Sequence, residues 1–197
     1  MPLLAAEPTY FPETLFADPA YAAAGPARWW VLYTKARAEK TVARHLLGRE
    51  VAFYLPQYKQ TWRTGGRMRT SYLPLFTGYV FLHGDESGRV AALESNLLSA
   101  VLSVTDQERL YADLVRVERL LGGSVPVAPE VVLPVGVPVE ITHGPFRGLR
   151  GTVVKRDGAN HFVVTVEFLR RGVSIPVDGA ALRPVEPTSR PSSATGV

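Results

Sequence analysis

The chain has 197 residues, enough for one large domain or two small ones, and 46% of them are apolar, as in packed globular proteins. It contains no cysteine, which excludes disulfides and cysteine-based metal sites. Its first 19 residues carry acids and prolines instead of the basic and apolar regions of a signal peptide. No run approaches the ~18 apolar residues of a membrane span. We therefore expect a cytoplasmic protein.

The net charge of +4 conceals a strongly basic segment. Residues 28–72 contain ten Lys or Arg and two Glu, for +8, whereas residues 1–27 and 73–127 each carry −3 and residues 128–197 carry +2. Positive charge concentrated in this way indicates a polyanionic partner, of which nucleic acid is the usual one. A solvated basic face that binds nothing explains the charge equally well.

The amino-terminal part predicts a tail, a strand and a helix. Residues 1–27 are rich in Ala and Pro with scattered aromatics and show no lasting period, which predicts a disordered tail. The run WWVLYT at 29–34 is typical of a central strand. A helix is predicted over 36–49, because apolar residues recur every four positions from Ala38 to Leu46.

The next stretch predicts strands followed by helices. Residues 51–63 and 67–73 have strand composition and flank a Gly65-Gly66 turn, which is typical of a hairpin. Further on are a strand at 78–83, a short helix at 86–95, a strand at 100–104, a capping box at Thr105-x-x-Glu108, and a last helix with a stripe of Leu110, Leu114, Val117 and Leu121. This order predicts an α+β domain over 28–121, with an antiparallel or mixed sheet covered by helices.

The carboxy-terminal part predicts a second, all-β domain. Residues 122–135 combine glycine and proline without periodicity and are predicted to be an interdomain linker. Between 136 and 185, short strands are predicted at 137–142, 151–156, 161–168, 173–177 and 182–185, joined by turns at Gly144/Pro145, Asp157-Gly158 and Arg171-Gly172. Such a pattern predicts a small closed barrel of five strands, since closure removes the sheet edges. Residues 186–197 are predicted to be a disordered tail.

Two sets of motifs resemble the NusG/RfaH family of transcription elongation factors. The amino-terminal set is WWVLYTKAR, EKTVARHL, YLPQY and LPLFTGYVFL, and the carboxy-terminal set is VEITHGPFRGLRGTVV, which is close to the family's KOW module. The resemblance covers roughly residues 27–185, and the first motif and the basic hairpin are more similar to specialised RfaH-type paralogues than to housekeeping NusG. It implies an NGN-type domain followed by a KOW barrel. It also implies a factor that binds RNA polymerase and increases processivity by suppressing pausing and termination.

In RfaH the carboxy-terminal domain also exists as a helical hairpin that masks the polymerase site. Here the segment 136–185 is rich in glycine and proline. Each interior glycine costs a helix ~1 kcal/mol and each proline ~3 kcal/mol. We therefore predict a permanent β-domain on a flexible linker, with the amino-terminal site open.

The first candidate site consists of the aromatic residues Tyr33, Phe76, Tyr79 and Phe81. Tyr79 and Phe81 share one face of a strand, so at least one ring is a candidate for exposure. Core packing is the alternative for each of the four. The resemblance implies that these positions line an apolar patch that grips a coiled coil in the clamp region of the largest polymerase subunits.

The second candidate site is basic and follows the first strand. Its residues are Lys35, Arg37, Lys40, Arg44 and His45. Cations on one side of a helix suit phosphate contacts, which give sequence-independent affinity. The resemblance implies that Lys35 and His45 touch the exposed non-template DNA strand, although Thr41 stands where RfaH has an arginine.

The predicted hairpin carries a third set of candidates, Arg63, Arg67 and Arg69. These arginines flank the Gly65-Gly66 turn, from which they would reach the upstream DNA duplex. Protection of a strand edge by solvated arginines is the alternative interpretation.

The carboxy-terminal candidates are Phe146, Leu169, Arg170 and Arg171. The resemblance implies that the loop at 169–171 meets a ribosomal protein or the termination helicase, and a turn with two solvated arginines is the alternative. The four histidines have no metal-ligand spacing, and no catalytic or phosphate-binding motif is present. We therefore expect a monomeric protein that is not an enzyme and needs no cofactor. The second functional hypothesis is an RNA-binding protein that acts at the ribosome.

Overall fold

The computed structural model of the chain describes residues 8–22, 25–123, 126–130, 136–156, 159–177 and 181–185. The predicted tail at 186–197 and the predicted Asp157-Gly158 turn lie outside the described residues, as do residues 124–125 and 131–135 of the predicted linker.

The described chain combines three helices with antiparallel strands. The helices are α1 (Glu39–Gly48), α2 (Glu86–Leu93) and α3 (Gln107–Leu121). The strands before α3 are β1 (Tyr10–Phe11), β2 (Arg28–Thr34), β3 (Ala52–Tyr54), β4 (Gln57–Thr64), β5 (Arg67–Pro74), β6 (Tyr79–Gly84) and β7 (Leu98–Ser103). Those after it are β8 (Ala128–Glu130), β9 (Val137–Ile141), β10 (Arg150–Arg156), β11 (Ala159–Val166), β12 (Arg171–Val177) and β13 (Leu182–Pro184). The predicted α+β class is confirmed.

A five-stranded sheet in the order β1-β3-β6-β2-β7 forms the centre of the amino-terminal part. Successive side chains of its central strands point to opposite faces, so each strand serves two hydrophobic clusters. Trp30 and Leu32 of β2 pack in the cluster that contains α1, whereas Trp29 and Val31 pack in the cluster that contains α3. Burial on both faces explains why this run is apolar throughout.

Helix α3 begins one residue later than a capping box at Thr105 and Glu108 requires, so that prediction is wrong. Asp106 is the N-cap, and its carboxylate accepts a hydrogen bond from the Arg109 backbone N–H at 3.0 Å. The shift leaves Gln107 free to bind the backbone of β2: its Oε1 accepts from the Trp29 N–H at 2.7 Å. Its Nε2 donates to the Trp29 carbonyl at 3.0 Å.

Residues 8–22 depart from the predicted disordered tail. Strand β1 pairs with β3 and forms one edge of the five-stranded sheet. Leu15 is fully buried in the core, and the Tyr21 carbonyl accepts a hydrogen bond from the Trp29 indole N–H at 2.9 Å. The aromatics of this segment follow no period, because Tyr10 and Phe16 pack together against Tyr54 of β3 whereas Tyr21 packs against His83 of β6.

Strands β4 and β5 form a separate two-stranded ribbon. Their register runs from Gln57 opposite Pro74 to Thr64 opposite Arg67, and the Gly65-Gly66 turn lies where the sequence predicts it. From Lys59 to Thr70 every side chain is exposed. The hairpin is thus confirmed, as a ribbon that leaves the body of the protein.

The carboxy-terminal strands form a six-stranded sheet in the order β13-β9-β10-β11-β12-β8. In the described residues β13 and β8 are its two edges and do not pair with each other, so the predicted closed five-stranded barrel is not confirmed. Strand β8 lies inside the predicted linker and pairs with β12. The strand content predicted for 136–185 is present, and the described part of that segment holds no helix beyond the 3-10 turn Glu167–Leu169.

Helix α3 packs against both sheets. It contacts β2 on one side and β11 on the other, and a single hydrophobic cluster joins Leu110 and Val117 to Phe81 and Phe162. Because a sheet packs against α3 on each side, more of its residues are buried than the predicted stripe contains, among them Leu120. The two predicted domains therefore share a core, which differs from the expectation of a freely tethered carboxy-terminal domain.

Candidate functional site

Two tyrosines form an aromatic surface where β2 ends and β6 begins. Tyr33 and Tyr79 lie opposite each other in the register of these strands, and their ring centroids are 5.3 Å apart. Tyr33 is 44% exposed and Tyr79 is half-buried. The phenol rings add polar tips to apolar faces, which suits a protein interface.

The turn before β6 holds this pair in place. Gly78 adopts a left-handed backbone with φ of 86°, and its N–H donates to the buried Glu39 carboxylate at 2.7 Å. Its carbonyl accepts from the Thr34 N–H at 2.8 Å. Both backbone groups of Gly78 are thus bound, one to α1 and one to β2, so the position of Tyr79 is tied to that of Tyr33.

Replacing Gly78 by alanine is expected to disturb this surface. A Cβ at Gly78 would lie 3.1 Å from Cε2 of Tyr33, in a backbone conformation that L residues disfavour. We expect a loss of about 1–2 kcal/mol in the free energy of unfolding and a changed NMR environment of the Tyr33 ring. Gly65→Ala is the matched control, since its φ is 57° but no atom lies within 4 Å of the added Cβ. Equal ring shifts in both variants would contradict the contact.

Phe76 and Phe81 do not share this surface. They are 1% and 0% exposed, and they belong to the cluster between the five-stranded sheet and α3. Their rings pack edge to face at a centroid distance of 6.1 Å. The predicted partner-binding role of these two residues is corrected to core packing, because α3 covers the face of β6 at Phe81 and leaves Tyr79 at its margin.

The carboxy-terminal sheet reaches the tyrosine surface through Arg171. Its guanidinium lies over the Tyr79 ring at 5.2 Å from the centroid, and its Nη1 donates to the Thr77 carbonyl at 3.2 Å. Tyr79 is therefore partly covered, which differs from the prediction of an open amino-terminal site. Tyr33 stays exposed.

The basic residues around α1 differ in their surroundings. Lys35 and Arg37 are exposed in the turn between β2 and α1, and the Lys35 ammonium donates to the Asn96 carbonyl at 2.8 Å. Arg44 lies one turn after the half-buried Lys40 and donates to its carbonyl at 3.3 Å. His45 is half-buried and its Nε2 donates to the Ala91 carbonyl of α2 at 2.8 Å. His45 thus joins two helices, whereas Lys35, Arg37 and Arg44 present cationic groups at the surface.

The β4–β5 ribbon carries cations on both of its faces. Arg69 lies opposite Trp62 in the register, so both side chains share one face with Arg67, whereas Arg63 is on the other face. No acidic residue occurs between 57 and 74, and the ribbon's arginines have no ion-pair partner in the described chain. Trp62, which is 43% exposed, is not among the residues predicted for this site, although period-two alternation places it beside these arginines.

The carboxy-terminal candidates are Phe146, in the turn after β9, and the consecutive residues Leu169, Arg170 and Arg171, which lead from β11 into β12. Phe146 is buried against the end of α3, where its ring closely approaches the backbone of Gly123. Its predicted partner-binding role is corrected to packing. Leu169 is half-buried, and Arg170 is exposed with a left-handed φ of 50°.

Within the described part of the chain, no group of three or more potential ligands can hold a metal ion.

His83 is buried between the rings of Tyr21 and Trp29, and this burial lowers the pKa of its imidazole. Among the described helices, none is long and apolar enough to cross a membrane.

Comparison with known proteins relates the amino-terminal part of the chain to a known family. A family model described as transcription termination factor NusG matches residues 27–132, more than half of the chain. No curated protein matches the sequence. Among solved structures, a chain of the "MjSpt4:Spt5 complex conformation B" is 16% identical at a TM-score of 0.28, with 82% of this chain and 99% of that chain covered. So weak a superposition adds nothing to the assignment. On the strength of the family model, the chain belongs to the NusG family of transcription elongation factors.

Proposed function

We propose that this protein binds RNA polymerase through Tyr33 and Tyr79 and acts as an elongation and antitermination factor. The observation that carries the proposal is the tyrosine pair, with Tyr33 exposed and Tyr79 half-buried beside it, held by Glu39 and Gly78 inside the region that the family model matches. An aromatic pair on a rigid sheet end suits the helical coiled coil of the polymerase clamp, since rigid aromatic anchors dominate such interfaces.

The proposed mechanism is a shift of population between polymerase states. The factor prefers the closed, elongating state and raises its share by its differential affinity for that state. Pausing and termination, which start from other states, become rarer. In this proposal Lys35 and Arg37 before α1, Arg44 on α1 and the arginines of the ribbon hold non-template and upstream DNA through phosphate contacts. No catalytic group takes part.

The carboxy-terminal sheet is proposed to be a KOW-type domain that recruits a further partner, such as a ribosomal protein or the termination helicase. The observation in its favour is the exposed loop after β11, where Phe168 and Arg170 are accessible. We place the protein in the cytoplasm as a monomer. The second candidate function is RNA binding at the ribosome, which the same sheet would perform without the amino-terminal part.

Affinity purification of the full-length protein distinguishes the two functions. We expect the large polymerase subunits among the retained proteins, and their loss in a variant with alanine at Tyr33 and Tyr79. Retention of ribosomal subunits alone, unchanged in that variant, would favour the second function. An in vitro termination assay with purified polymerase then tests for read-through.

Neutralising the ribbon is expected to weaken DNA binding and reduce its salt dependence. The variant Arg63→Gln/Arg67→Gln/Arg69→Gln removes three exposed cations, so the slope of log K against log salt should fall by up to about 3. The measurement is fluorescence anisotropy of duplex DNA at several salt concentrations. The matched control is the variant Arg49→Gln/Arg150→Gln/Arg183→Gln. It removes the same number of charges, but from arginines that already form ion pairs with Glu94 or Glu140. An equal change in both variants would show a net-charge effect and contradict the ribbon site.

A further inference from the structure

A pocket lies where β1, β3, β5 and the last turn of α3 meet. Its volume is about 260 Å³, and tyrosine rings from three strands form much of its wall. They are Tyr10, Tyr54 and Tyr72, and Glu118 of α3 faces them. The proposed polymerase and DNA surfaces use none of these residues.

Tyr54, one of the residues that line the pocket, carries a buried hydroxyl. The side chain is fully buried and its hydroxyl has no hydrogen-bond partner among the described residues. Burial, with the Glu118 carboxylate and Tyr10 nearby, raises the pKa of Tyr54 well above its usual value, so the phenol stays neutral. A buried hydroxyl without a partner is costly, and such groups are rare in folded proteins.

Glu118 supplies a negative charge that nothing in the described chain neutralises. Burial raises the pKa of its half-buried carboxyl, and it forms no ion pair with a described residue. Among the residues that the structure describes, no Lys, Arg or His lines the pocket. The neighbouring Arg119 points elsewhere, since its guanidinium donates to the Arg147 carbonyl at 2.6 Å. The carboxy end of α3 adds the negative pole of the helix dipole.

The aromatic rings complete a cation site. The centroids of Tyr10 and Tyr54 are 6.2 Å apart with the rings inclined at 65°, and Tyr72, 45% exposed, forms the rim. Ring faces attract ammonium groups, most strongly where water is excluded. An anionic ligand would be repelled by the Glu118 carboxylate and by the negative pole of the α3 dipole. A purely apolar ligand would leave the Tyr54 hydroxyl without a hydrogen-bond partner.

We propose that this pocket binds a primary alkylammonium group, with Glu118 as its counter-ion, the Tyr54 hydroxyl as a hydrogen-bond acceptor and the three rings as walls. The group would belong either to a free aliphatic amine or to a lysine side chain of a partner. Tyr10 precedes residue 27, where the family match begins, so the complete site is built partly outside the matched region. The proposal does not depend on the polymerase-binding function.

Isothermal titration calorimetry of the full-length protein at pH 7 tests the site with two probes, putrescine and Nα-acetyl-lysinamide. We expect saturable binding of at least one probe. Glu118→Gln should weaken it by about tenfold or more, and Tyr72→Ala by about two- to fivefold. Glu94→Gln, which removes a surface carboxylate paired with Arg49, should leave binding unchanged. Tighter binding of putrescine identifies a free amine, and tighter binding of the lysine analogue identifies a partner's side chain.

Two further measurements separate a ligand site from a structural role. Glu118→Gln should be at least as stable to urea as the natural protein, because it removes a charge that burial disfavours. Tyr54→Phe removes only the unpaired hydroxyl and should also keep its stability while binding the probe more weakly. Absence of saturable binding by either probe, or equal affinity of the natural protein and Glu118→Gln, would overturn the proposal.

Discussion

Alanine at both Tyr33 and Tyr79 is expected to weaken binding to purified RNA polymerase by about a thousandfold while the fold is retained. An aromatic anchor at such an interface contributes about 2 kcal/mol, and the loss of two, about 4 kcal/mol, corresponds to that factor. Both rings lie at the margin of the core, with Tyr33 44% exposed, so their removal opens no large cavity. Biolayer interferometry on immobilised polymerase measures the affinity, and far-UV circular dichroism checks the fold.

Phe81→Ala is the contrasting variant. Its ring is fully buried beneath α3, and the cavity left by the substitution should cost about 3–5 kcal/mol of unfolding free energy. Any loss of polymerase binding by the Phe81→Ala protein would then accompany a loss of folded structure. If the tyrosine double variant melts in the same way, the two rings are structural. If it is folded and binds normally, the polymerase contact lies elsewhere.

The difference between Tyr79 and Phe81 shows where sequence patterns stop being informative. Alternation places both on one face of β6, and that prediction is confirmed. How far the covering helix extends over that face depends on the packing of α3, which starts 26 residues after Phe81. No local pattern reports it, so the sequence alone does not separate the half-buried Tyr79 from the core residue Phe81.

The amino-terminal segment was missed for a related reason. Tyr10 lies on the two-residue edge strand β1, and Leu15 is buried in the core after that strand has ended. The segment is too short and irregular for a strand or helix period to appear in its sequence. By contrast, the central strand β2 is apolar and buried from Trp29 to Leu32, on both faces of the sheet, and this run was predicted directly. The pocket proposed to bind an ammonium group is lined by both Tyr10 and Glu118, which are more than half of the chain apart in the sequence. Their proximity appears only in the folded structure.

The last glycine of the GPFRGLRG motif, Gly151, lies in a strand as predicted, and its role differs from that of the turn residues before it. Gly151 lies within β10, paired with Val139 of β9. A Cβ there would lie 2.4 Å from the Val163 carbonyl oxygen and 2.8 Å from Cζ of Phe162. The neighbouring strand and the core ring therefore occupy the space that any side chain would need.

Gly151→Ala is accordingly expected to destabilise the carboxy-terminal sheet by about 3 kcal/mol, because backbone and a fully buried ring must both move. Urea unfolding followed by amide NMR signals from 136–185 measures the effect. Gly48→Ala, at the end of α1, is the matched control, since no atom lies within 4 Å of its added Cβ and helix propensity should make it neutral or stabilising by up to about 1 kcal/mol. A Gly151→Ala protein as stable as the control would mean that β11 can move aside. The close approach would then be incidental, and the motif would act only through its turns.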